Sequence, residues 1–103
     1  MEEKLLNIIE HYGVLPQLKY FQSEVFELNE SIINAENYNP QVQDTLYKIN
    51  SNVQENVKHI AEEIADVMVM LEQFKLYYGI SSKEITDIFW SKVDRQLDRI
   101  ANE

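Results

Sequence analysis

Apolar residues recur along the chain at three- and four-residue intervals, the spacing that places them on one face of an α-helix. Leu5, Leu6, Ile8 and Ile9 form a short amphipathic segment running to Gly13, and Pro16 falls where the first turn of a following helix tolerates it. Leu18, Phe21, Val25, Leu28 and Ile32 keep the next face apolar to about Ala35. Within a polar stretch, residues 35–55, Asn39 and Pro40 read as N-cap and first residue of a short helix through Leu46 and Ile49. Ser51 or Asn52 then caps a long helix whose stripe is Val57, Ile60, Ile64, Val67, Leu71, Phe74 and Tyr78, closed by Gly79. Ser81 and Glu84 have capping-box spacing, and Ile85, Ile88, Phe89, Val93, Leu97 and Ile100 give the last helix its core face. With no period-two alternation and no hairpin signal, the expectation is a single all-α domain over residues 1–103: four main helices, bundle-like.

One segment breaks the separation of apolar and charged faces. "HIAEEIADVMVML", His59 to Leu71, sets acids among core-type residues. At about 100° per residue, Glu63 falls roughly 60° from the stripe centre, beside Met70 and Phe74, and Asp66 lies about 60° further on the same flank. In the preceding helix Glu24 borders Phe21 and Leu28, with Glu27 at i+3. Acids three apart on a helix are commonly solvated pairs whose repulsion costs only a few tenths of a kcal/mol. Two such pairs at the margins of one small core are a different matter. Four carboxylates gathered at low dielectric must be protonated or neutralised by cations, and oxygen-only ligation suits a hard ion, Mg²⁺ or Mn²⁺. A di-iron bundle fits poorly, because it wants Glu-x-x-His on two helices and His59 precedes its acid.

Composition narrows the partners. The 103 residues carry 18 acids against 9 Lys and Arg, a net charge of −9, which argues against nucleic acid or an anionic membrane. There is no cysteine, which excludes disulfides, thiolate metal sites and cysteine nucleophiles. Glu2, Glu3 and Lys4 precede any apolar run, and no stretch nears the roughly 20 apolar residues of a membrane span, so a cytoplasmic location is expected. A chain of this size leaves Phe26, Ile33 and Met68 off the main stripes, and a homo-oligomer is expected to cover them.

The pattern Glu24-x-x-Glu27, a spacer, then Glu63-x-x-Asp66 within "EEIADVMVML" resembles the signature of the MazG-like, all-α nucleoside triphosphate pyrophosphohydrolases. "YGVLPQLKYFQSEVFELNESI" is similar to the family's opening, and "LYYGISSKEITDIFWSKVDRQLDRI" to its tail. The likeness spans nearly the whole chain and is least over residues 35–55. Ser23 departs from it, standing where many members have the first acid of a paired "EE".

The resemblance implies hydrolysis of a nucleoside triphosphate to monophosphate and pyrophosphate, either as nucleotide-pool house-cleaning or to adjust a normal pool, with Glu24, Glu27, Glu63 and Asp66 holding Mg²⁺. A strongly acidic protein binds a triphosphate only through bridging cations, which also lower the pKa of an attacking water. One carboxylate, Glu24 or Glu27, would orient that water. Lys92, Arg95 and Arg99 recur at helical spacing, suited to phosphate oxygens or to a solvated face paired with Asp87, Asp94 and Asp98. The family's tail favours Lys92, and Gln17 matches the family's Gln, a nucleotide contact. Two readings compete. One is an acidic helical module that binds a basic partner or mimics nucleic acid; the other is the related phosphoribosyl-ATP pyrophosphatases of histidine synthesis, whose flanking segments differ.

Overall fold

The computed structural model describes residues 2–37 and 46–103, with residues 46–53 described by their backbone alone. Four helices account for nearly all of it: α1 (Glu2–Tyr12), α2 (Val14–Glu36), α3 (Leu46–Tyr77) and α4 (Ser82–Ala101). No strand occurs among the described residues, so the all-α expectation holds.

The joints follow from local chemistry. A single residue, Gly13, separates α1 from α2 at φ 93°, a conformation that a side chain rarely adopts. Its N–H donates to the Ile9 carbonyl at 2.8 Å and its own carbonyl accepts from Gln17 N–H at 3.1 Å, so the ladder passes through the bend almost unbroken. Pro16 sits in the first turn of α2, where a missing N–H costs nothing. The end of α3 is a Schellman closure around Gly79 at φ 67°: Ile80 N–H reaches Lys75 O at 3.0 Å and Gly79 N–H reaches Leu76 O at 3.1 Å. Ser81 then caps α4, its hydroxyl accepting from Glu84 N–H at 3.1 Å. Lys75 fastens this elbow, bonding Glu72 at 2.9 Å and the Ser82 hydroxyl at 2.8 Å.

One boundary differs from the sequence reading. Ser51 and Asn52 do not start the long helix; it is already formed at Leu46. Leu46, Ile49, Val53 and Val57 continue its apolar spacing backwards, and the weak interior penalty of Ser and Asn does not outweigh that continuity. The expected opening of a short helix at Asn39 and Pro40 lies outside the described residues.

Helices α1, α2 and α3 pack on one another, most extensively α2 on α3, with Phe21 and Phe74 meeting edge to face at 5.7 Å. Helix α4 forms no packed interface with any of the three among the described residues. The core is correspondingly thin. Ile9 and Met70 are the buried apolar residues, whereas Phe26, Ile33 and Met68 are exposed. No helix is long and apolar enough to cross a membrane among the described residues.

Candidate metal centre and adjoining pocket

The straight register of α2 against α3 carries Glu24 to the same place as Glu63 and Asp66. One carboxylate oxygen from each lies within 4.8 Å of the others. Glu24 and Glu63 are buried, 5% and 8% exposed, while Asp66 is exposed at the rim. A buried acid ordinarily accepts hydrogen bonds. Here Glu24 Oε2 and Glu63 Oε2 are buried and have no hydrogen-bond partner.

The electrostatics agree with this crowding. Burial pushes the Glu63 carboxyl above its ordinary range, and the charges of Glu27, Asp66 and Glu24 push it further, opposed by His59. His59 Nε2 stands one turn away, 3.7 Å from Glu63 Oε1. Tyr20 is pushed up as well, first by hydrogen bonding to Glu24 and then by its charge. Three of the four expected carboxylates therefore converge. Glu27 is exposed and outside the converging trio, yet it is the charge that acts most on Glu63. It lies in the turn after Glu24, its carbonyl accepting from the Ser31 hydroxyl at 3.0 Å.

Beside the trio is a cavity of about 550 Å³, a size suited to a small ligand. Ile8 and Tyr12 of α1, Tyr20 of α2 and Val69 of α3 wall it, and Glu24 and Asp66 open onto it. Gln17 also lines it and hydrogen bonds across the helices, its Nε2 donating to Gln73 Oε1 at 2.8 Å. Gln73 is 1% exposed, and its own amide makes a long contact of 3.7 Å to Met70 Sδ.

Gln73 is not singled out by the sequence reading, and His59 enters it only as a poor di-iron ligand with no role. Gln73 had a legible signal: it follows Asp66 by seven residues, two helical turns, and so stays on the carboxylate side of α3. His59 precedes Glu63 by four, the spacing of direct neighbours. Lys92, Arg95 and Arg99 are exposed on α4. Within one chain they line neither the trio nor the cavity, and they form no ion pair among the described residues, although Lys83 pairs with Asp87 at 2.8 Å.

Comparison of the chain with protein-family models, with curated proteins and with solved structures finds no match.

Proposed function

We propose that the protein is a divalent-cation-dependent hydrolase of nucleoside triphosphates, releasing nucleoside monophosphate and pyrophosphate, as the MazG-like resemblance implies. The observation that carries this reading is the pair of buried, unpartnered carboxylate oxygens on Glu24 and Glu63, set beside Asp66 at the mouth of a mainly apolar cavity. Leaving one buried oxygen on each of two acids without a donor is costly unless something neutralises it, and an oxygen-only donor set fits Mg²⁺ or Mn²⁺. When bound, such an ion neutralises phosphate charge and lowers the pKa of a coordinated water.

The chain's own residues supply the rest. Glu24, Glu63 and Asp66 hold the ion, and Glu27, one turn along α2 and outside the trio, adds a ligand or orients the attacking water. The cavity wall away from the acids is mainly apolar, and there Tyr12, Tyr20 and the Gln17 amide suit a nucleoside: flat faces for a base and a polar group for its edge. An acidic interaction module has no use for burying Glu24 and Glu63, since a mimic presents its charge to the partner.

The test is pyrophosphate release from a panel of ordinary and damaged nucleoside triphosphates with Mg²⁺, Mn²⁺, Ca²⁺ and chelator. Release that requires Mg²⁺ or Mn²⁺ is expected, with Ca²⁺ a poor substitute because its looser coordination positions water less well. No release from any nucleotide with either ion rejects the reading.

A further inference from the structure

The buried amide pair in the cavity wall has a direction. Gln17 Nε2 donates to Gln73 Oε1 at 2.8 Å, which commits the Gln73 carbonyl to α2, and the Gln73 amide nitrogen contacts Met70 Sδ at 3.7 Å. A thioether sulfur only accepts. Exchanging the ends of both amides would set Gln73 Oε1 against that sulfur, acceptor against acceptor, in a side chain 1% exposed and closed to water. Met70 precedes Gln73 by three residues on α3, so the helix itself holds the contact. The sulfur therefore orients Gln73, and Gln73 orients Gln17.

What is left for a ligand is the other end of the Gln17 amide. Its Oε1 accepts no hydrogen bond among the described residues, yet it is not shut away as Glu24 Oε2 and Glu63 Oε2 are. Gln17 is 7% exposed and lines the cavity, so that oxygen opens into the cavity. Other polar groups of the lining are engaged elsewhere: Glu24 and Asp66 belong to the acid trio, and Tyr20 hydrogen bonds to Glu24.

We propose that Met70 and Gln73 are positioning residues that hold the Gln17 carbonyl toward the cavity, and that this acceptor selects nucleobases with an amino group on their edge, adenine and cytosine, over their oxo counterparts, hypoxanthine and uracil. The proposal rests on the nucleotide reading of the cavity and adds which bases it takes. An amino N–H meets Gln17 Oε1 as a donor. In hypoxanthine and uracil a carbonyl oxygen stands in that position, and the ring N–H lies directly beside it, so an acceptor reaching for that N–H is repelled by its neighbour. The two members of each pair share one ring shape, so contact with Ile8, Val69 and the tyrosines does not distinguish them.

The test compares kcat/KM for pyrophosphate release from adenosine against inosine triphosphate and from cytidine against uridine triphosphate, with Mg²⁺. Binding of the four nucleosides is measured by calorimetry in chelator, where neither metal nor hydrolysis contributes. Wild type is expected to favour the amino member of each pair by about 10–100-fold, the effect of leaving one buried polar group unpaired. Met70→Leu conserves volume and removes the sulfur, so the amide pair is free to reverse, and the ratio is expected to fall toward one with the helical circular dichroism unchanged. A residue that only packs would lower all four rates alike. Gln17→Met removes the carbonyl and is expected to lose the ratio as well. Equal rates within both pairs in wild type overturn the proposal and leave hydrolysis standing. An unchanged ratio in folded Met70→Leu, or in Gln17→Met, overturns it too. If no triphosphate is hydrolysed, the nucleosides decide: an amino preference in chelator upholds the acceptor and rejects the hydrolase, while equal binding or none overturns both.

Discussion

Around the circumference of α3, two flanks invert the usual distribution of polarity in opposite ways. One flank buries polar groups: Glu63 and Gln73, facing Glu24 and Gln17 of α2. The other exposes apolar ones, Met68 and Leu71, followed by Tyr78 just past the helix end, at the elbow with α4. An isolated exposed leucine or a solvated glutamate says little, but a buried carboxylate oxygen without a donor and a contiguous apolar face are each unusual. The contrast teaches that one helix carries two surfaces of opposite chemistry, a polar one toward α1 and α2 and an apolar one toward α4.

Removing the charge from the first flank should produce the largest effect. Glu63→Gln and Asp66→Asn are each expected to lower pyrophosphate release by more than the about 10–100-fold that loss of an outer-shell partner causes, with the helical circular dichroism unchanged. A variant of either kind with near wild-type turnover would break the assignment of that flank. Next in size is the response to the ion itself. Mg²⁺ at about 100 times its dissociation constant should stabilise the fold by about 2.7 kcal/mol, and a nucleotide should stabilise it further only when Mg²⁺ is present. Thermal melts with ion, nucleotide and both, against NaCl of matched ionic strength, decide it; equal shifts with Mg²⁺ and NaCl would reduce the flank to a screened acidic surface.

A smaller loss is expected from Gln73→Met, which leaves the buried Gln17 amide without its 2.8 Å partner at a cost of about 1–3 kcal/mol. Denaturant unfolding measures it. If Gln73→Met is as stable as the parent chain, the amide pair is not a structural element of the cavity wall.

The smallest effect concerns pH. Glu63 holds its proton more tightly in the folded chain than in the unfolded one, because burial and neighbouring acids disfavour its charge. The folded state therefore binds more protons over that range, and its stability falls as pH rises from the ordinary glutamate value, about 4.3, through the raised one. Below that window the penalty is absent. In chelator, wild-type melting temperature should fall across the window relative to Glu63→Gln, whose side chain does not titrate. Parallel curves would mean that the carboxyl is not crowded.

Much of this was legible in the sequence. Gly13, Gly79, Ser81 and the apolar spacing gave the helix ends, since these depend on neighbours within a turn. The margin position of Glu24, Glu63 and Asp66 followed from the 100° step alone. What was not legible depends on tertiary placement. Glu27 has the same spacing from Glu24 as Asp66 has from Glu63, yet only Asp66 joins the trio, because the crossing of α2 and α3 brings together both acids of the α3 pair but only Glu24 of the α2 pair. The stripe on α4 reads as a core face, but periodicity does not say whose core. The onset of α3 was missed because Ser51 and Asn52 resemble caps while the pattern running back to Leu46 is the stronger constraint.

The three walls of the cavity have unequal duties. Helix α1 contributes Ile8 and Tyr12 and none of the converging acids, which come from α2 and α3 alone. Tyr12 is 61% exposed, so replacing it disturbs little packing, within about 0.5 kcal/mol for a typical surface site. A substitution on this short N-terminal helix can therefore change what the cavity admits without touching the converging carboxylates of the other two, and the single glycine at residue 13 marks the border between them.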